Sequence, residues 1–172
     1  VTDALELLIS DHRAVEGLFA QLGSDGTPDP EVVRRIVRDL STHDAIEKEH
    51  LYPVVRARLD DGNQIAHHSI TEHGEVARLL AEIDRRPSDD PHRRELLAEL
   101  MPTVRAHVAE EEAEIFPVLA SRMAAEELAE LGETLARAKE KAPTRPHPHA
   151  PSSGWGNRVA RKLTAPLDKL RD

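Results

Sequence analysis

The chain has 172 residues, with 32 Asp and Glu against 23 Lys and Arg for a net charge of −9, and no cysteine. That length suits one domain with a continuous core. The charge argues against nucleic acid as the main partner, and the missing thiols leave only N and O atoms to hold a metal. No apolar run approaches the roughly 18 residues that span a membrane, no signal-peptide pattern opens the chain, and the expected location is cytoplasmic.

Only Phe19, Tyr52, Phe116 and Trp155 are aromatic, so the core must be built from Leu, Val, Ile and Ala, a composition that suits packed helices. Leu5, Leu8, Ile9, His12, Val15, Phe19 and Leu22 share one helical face and predict a first helix over about 3–22, stopped by Gly23. Asp29-Pro30 pairs an N-cap with proline at the first helical position, and the second helix is expected to run to about Asp60 with a kink at Pro53, closed by Asp61-Gly62. A third helix covers about 63–85. Asp90-Pro91 repeats the start signal, and the fourth helix runs to about Arg122, bent or interrupted by Pro102 and Pro117. Leu128, Leu131 and Leu135 mark one more helix over about 124–141, packed on the outside. Short connections make neighbours antiparallel, so the expected fold is all-α, an up-down-up-down four-helix bundle with a short additional C-terminal helix and an extended tail.

The expected domain is 1–142, internally duplicated over about 3–60 and 63–122. The remaining stretch, 143–172, holds six Lys and Arg against two Asp, a balance of +4. Its Pro-rich start reads as an extended linker, and the PHPH within it is a weak candidate for touching a metal. Val159, Leu163, Leu167 and Leu170 then fall near helical spacing, a basic piece that is either disordered or docked on the acidic domain, a partner or an anionic surface.

Chemistry enters through the duplication. Ser10-Asp11-His12-Arg13-Ala14-Val15 returns as Thr71-Glu72-His73-Gly74-Glu75-Val76, and His43-Asp44-Ala45-Ile46-Glu47 returns as His107-Val108-Ala109-Glu110-Glu111. Tyr52-Pro53 follows the first paired motif and Phe116-Pro117 the second. Residues four apart lie on one helix face, so His43 with Glu47, and His107 with Glu111, address the same ion or adjacent ions. Leu40 and Val54 flank the first pair, and Val104 and Val118 the second, which aims both into the core. Buried carboxylates beside several imidazoles need a compensating charge, and a cation supplies it. The candidate ligands are therefore His12, His43, Glu47, His73, His107 and Glu111. Imidazole and carboxylate donors suit Fe, Mn or Zn, and carboxylate bridging in a helical bundle points to two iron ions.

The order and spacing of these motifs resemble the hemerythrin-like HHE cation-binding domain over about residues 3–122. The resemblance implies a four-helix bundle holding a bridged non-haem di-iron centre. In such a centre His12, His43, His73 and His107 are iron ligands, Glu47 and Glu111 bridge, and O2 or hydrogen peroxide is the partner. Two departures bear on function. Oxygen-carrying members have a second histidine on the third helix, four residues before the one matching His73, where this chain has Ser69. They also carry Asp five residues after the fourth-helix histidine, whereas here Glu111 stands at plus four and Glu112 follows. The site is short of one imidazole, which leaves room for water, peroxide or a substitute ligand.

His50 and Glu114, seven residues after His43 and His107, are repeat-equivalent candidates for an extra ligand or a partner to one, and read equally as polar residues at the bundle mouth. Tyr52 reads as packing, although a phenol near iron also ligates or donates a proton. His67 and His68 read as surface residues. The functional expectation is a non-haem di-iron protein that binds O2 or reacts with peroxide, with peroxide scavenging (catalase-like) or redox stress protection as its finer form. The alternatives are a non-enzymatic O2-binding, oxygen-sensing or iron-sensing module, and a structural bundle with zinc or no metal.

Overall fold

The computed structural model describes residues 2–22 and 28–146. The stop signal at Gly23, His147 and His149 of the PHPH stretch, and the basic piece around Val159–Leu170 lie outside the described residues.

Helix α1, Ala4–Gln21, opens with the Asp3 carboxylate accepting from the Glu6 backbone N–H at 2.9 Å. Helix α2, Pro30–Ile46, and helix α5, Pro91–Glu110, start as the Asp-Pro pairs predict: Asp29 accepts from Glu31 N–H at 2.8 Å and Asp90 from His92 N–H at 2.9 Å. Between them α4 spans Gly62–Arg85. Neither α2 nor α5 ends where its α-helical hydrogen bonding does. Each continues through a π-helical turn, Glu47–Leu51 or Glu111–Ile115, into a short helix, α3 (Tyr52–Arg58) or α6 (Phe116–Arg122). The cause is local. Proline at the second position of α3 and of α6 has no N–H and crowds the carbonyl four residues back, so the turn before it widens. The widening shows in the Tyr52 N–H, which donates to Glu47 O, and the Phe116 N–H, which donates to Glu111 O, each five residues back. Pro102, in contrast, leaves α5 continuous.

Gly62 does not close the second helix, as its sequence position suggests, but opens α4. A Cβ there would lie 2.2 Å from the Val55 carbonyl oxygen, so the tight α3–α4 connection requires glycine. Helix α7, Ala125–Lys139, packs on α1 and α2, with Leu128 and Leu135 buried. The chain does not leave the bundle at Pro143: Pro143 O accepts from Thr42 Oγ1, and Arg145 Nη1 donates to both carboxylate oxygens of Asp84 at 2.7 Å.

The core divides into two apolar layers. One gathers Leu18, Ile36, Leu79, Leu80, Ile83 and Leu100, and the other Leu8, Ile46, Leu51, Val55, Ile115 and Leu119. Between them lies a buried polar layer of His12, His43, Glu47, His73, His107 and Glu111. Among the described residues no helix is long and apolar enough to cross a membrane.

Candidate metal centre

Each helix of the bundle brings its part of the polar layer through the periodicity that buries its apolar face. His12 comes from α1, His43 and Glu47 from α2 and its π-turn, His73 from α4, and His107 and Glu111 from α5 and its π-turn. Ligating atoms of these six gather in two overlapping sets, one of His12, His43, Glu47 and Glu111, the other of His73, His107, Glu47 and Glu111, all within 4.8 Å inside each set. The two glutamates belong to both. The Nε2 atoms of His12 and His43 are 3.2 Å apart and those of His73 and His107 2.7 Å apart. Glu47 Oε2 lies 3.2 Å from His43 Nε2 and 3.3 Å from His73 Nε2, and Glu111 Oε2 lies 3.6 Å from His12 Nε2 and 3.5 Å from His107 Nε2. Each glutamate therefore reaches across from one half of the duplication to the other.

Four further carboxylates, given no role by the sequence, orient the imidazoles. Asp11 on α1 faces His43, Asp44 on α2 faces His73, Glu72 on α4 faces His107, and Glu112 after α5 faces His12. The ring closes around the bundle. Three of the contacts are hydrogen bonds to Nδ1, at 2.6 Å for Asp44, 2.8 Å for Glu72 and 2.9 Å for Glu112. The fourth, Asp11 Oδ2 to His43 Nδ1, is an ion-pair contact at 3.9 Å. A carboxylate outside places the proton on Nδ1 and turns the Nε2 lone pair inward, the tautomer a metal ligand needs. The signal was present in part, since Asp11, Asp44 and Glu72 each adjoin a ligand histidine. It could not be assigned because each serves the histidine of a different helix. Outer cations hold the ring in turn: Lys139 on α7 pairs with Asp11, Lys48 with Asp44 at 2.6 Å, and Arg13 with Glu112 at 2.5 Å.

Tyr52 completes the cluster. It is wholly buried, and its hydroxyl donates to Glu111 Oε1 at 2.9 Å and lies 2.9 Å from His73 Nε2. Its repeat equivalent, Phe116, stacks on the His12 ring at 5.9 Å. His50 is half-buried, 3.9 Å from Glu49, and Glu114 is exposed; neither joins the two ligand sets. The π-turns explain both outcomes. An α-helix places residue plus seven over the histidine, but an added residue in the turn shifts the phase, carrying His50 and Glu114 away and turning Tyr52 inward. Ser69 is buried, but its Oγ donates to Ile65 O at 3.2 Å on its own helix. Glu112 at plus five holds His12 from outside.

The cluster holds carboxylate oxygens that its own donors leave unpaired. Both carboxylate oxygens of Glu47 and Oε2 of Glu111 are buried without a hydrogen-bond partner. Burial and the charge of Glu47 push the Glu111 carboxyl up to about 7. Burial opposes charge on Glu47 too, but His43, His73 and His107 outweigh it and hold that carboxyl down at about 2. His43 is raised well above the usual imidazole range because Glu47, Asp11 and Glu111 outweigh its desolvation, whereas burial and the neighbouring His43 lower His12 to about 4. Four inward imidazole nitrogens and unsatisfied carboxylate oxygens form a donor set that fits first-row divalent cations. A cavity of about 30 Å³ adjoins the imidazoles, walled by Val15, Leu40, Val76, Val104 and Val108.

The hemerythrin HHE cation binding domain model matches residues 3–119. The chain belongs to this hemerythrin family. A hemerythrin-like protein of Schizosaccharomyces pombe is 27% identical over 100% of the chain and 86% of its own length. A DNA nickase of Nostoc is 28% identical over 79% of the chain, which spans only 39% of that protein. Among solved structures, a hemerythrin HHE cation binding domain-containing protein from Mycobacterium kansasii shares the fold with a TM-score of 0.69, at 24% identity, covering 81% of this chain and 86% of that one. The hemerythrin match ends before α7, so the Lys139–Asp11 contact is an addition to the matched domain that reaches the ring around the histidines.

Proposed function

We propose that this hemerythrin-family protein holds two iron ions between the apolar layers and uses them on O2 or hydrogen peroxide, with peroxide decomposition as its leading activity. The observation that carries the reading is that Glu47 and Glu111 belong to both ligand sets while three of their oxygens are buried without a partner. His12 and His43 would hold one ion, His73 and His107 the other, and the two glutamates would bridge. Two such ions supply paired one-electron couples, which suits a two-electron oxidant. The cavity beside the imidazoles, about 30 Å³ and walled mainly by valines, has room for a molecule with two heavy atoms. Tyr52 is the proton carrier: its hydroxyl touches Glu111 and His73, and burial together with the two glutamates raises its pKa well above the usual phenol range, so the proton stays on oxygen until it is needed. The absence of an imidazole at Ser69 favours turnover over reversible storage.

The test loads the full chain with Fe(II) without air, adds O2 and then peroxide, and follows spectra and gas evolution. The enzyme reading expects rapid oxidation and sustained O2 release from peroxide. A band that forms with O2 and disappears on degassing, without peroxide turnover, would instead establish an O2-binding or oxygen-sensing module.

A further inference from the structure

A second kind of ligand set lies at the surface beside the buried cluster. His68 and Glu72 stand one turn apart on α4, and Glu110 meets them from α5, with one ligating atom of each within 4.8 Å of the others. We propose that His68, Glu72 and Glu110 form a third, solvent-facing site for a divalent cation of the Zn2+ class. The spacing His68-x3-Glu72 repeats the arrangement of the two buried pairs, and the third donor comes from the facing helix, so three ligands are held by two packed elements. His68 Nε2 is 3.5 Å from Glu72 Oε1 and 3.4 Å from Glu110 Oε2. These separations are longer than good hydrogen bonds. Both lie close to the edge, about 3.3–3.4 Å, of a tetrahedron whose corners are about 2.0–2.1 Å from a central ion. Two carboxylates also converge on one imidazole nitrogen, which has at most a single proton to offer; a cation serves all three. The His68 side chain is 57% exposed, so a fourth position stays open to water, as in exchangeable rather than structural sites.

The site is not isolated from the centre. Glu72 uses Oε1 toward His68 and Oε2 to accept from His107 Nδ1 at 2.8 Å. A cation on the outer oxygen withdraws electron density from the inner one and weakens its hold on the His107 proton. Occupancy outside is thereby felt by a histidine of the buried cluster.

Zinc provides the test. The full chain, its buried site first loaded with iron, is equilibrated with Zn2+, and bound zinc and retained iron are counted by elemental analysis. Wild type should take up one zinc per chain without losing iron, and its visible absorption should shift. His68→Ala and Glu110→Gln should each weaken zinc binding at least tenfold and abolish the shift. If wild type binds no zinc, or if His68→Ala binds it as wild type does, the site is refuted; in the latter case the zinc sits elsewhere, such as on His147 and His149. The absorption shift reads the coupling to the buried iron, whereas the loss of one zinc per chain between wild type and the surface variants reads the outer site itself, whichever metal fills the buried cluster.

Discussion

Replacing Glu111 by Gln should stabilise the metal-free protein in mild alkali while destroying its centre. The Glu111 carboxyl is raised from the ordinary 4.5 to about 7 by burial and by the charge of Glu47. A carboxyl raised on folding contributes stability that is complete below the unfolded value, near 4.5, and is lost as pH rises through the folded value, near 7. The full difference, about 2.5 pKa units at about 1.36 kcal/mol each, is about 3 kcal/mol, and most of it accrues between pH 5 and pH 8.5. Gln cannot ionise and escapes this loss. Packing differences between the two side chains cancel when the gap between variant and wild type is compared at the two pH values. The gap should therefore move in favour of Glu111→Gln by about 2–3 kcal/mol, or about 4–12 °C in Tm for a chain of this size. Chelator-treated proteins followed by circular dichroism on heating would measure it. A gap that is constant with pH, or that moves the other way, would refute the claim that two buried carboxylates repel across this cluster.

Three further outcomes follow from the same geometry. Tyr52→Phe removes a buried donor to a carboxylate but keeps the ring, as Phe116 does in the other half; the metal-free protein should lose about 1–3 kcal/mol in denaturant unfolding, and the loaded protein should keep its iron while peroxide turnover slows. Asp44→Asn, which exchanges the charged acceptor 2.6 Å from His73 Nδ1 for a neutral amide, should weaken iron binding about 10–100-fold in competition with a chelator, and Asp11→Asn, at 3.9 Å from His43, should weaken it less. Because His43 is raised well above its ordinary value and Glu111 to about 7, Fe(II) loading at neutral pH should displace protons measurable in unbuffered solution, and iron retention on dialysis should fall as pH drops from 8 to 5; retention independent of pH would contradict this.

How much of this was legible in the sequence depended on whether regular helical geometry held. The six central residues were readable because His12 and His73 continue apolar stripes, and because His43 with Glu47 and His107 with Glu111 span one ordinary turn. The helix starts at Asp29-Pro30 and Asp90-Pro91 were readable because capping is a local matter. Past Glu47 and Glu111 the geometry changes, since the widened turn ahead of each proline shifts every later residue around the axis. That is why His50 and Glu114 looked aligned with the site and Tyr52 read first as a packing residue. The ring of Asp11, Asp44, Glu72 and Glu112 was hidden for another reason: each carboxylate acts on a histidine 29 to 100 positions away, a pairing set by the packing of helices rather than by spacing along one. Arg145 likewise looked like part of a departing tail until its pairing with Asp84 placed it on the bundle.

The central claim is that Glu47 and Glu111 are shared by two metal positions, and an anaerobic Fe(II) titration of wild type and Glu111→Ala tests it most directly. Wild type should reach its end point at two irons per chain, with the pair magnetically coupled after oxidation, and Glu111→Ala should lose the coupled pair. An end point of one iron in wild type, or a coupled two-iron centre that survives in Glu111→Ala, would contradict the shared-carboxylate account.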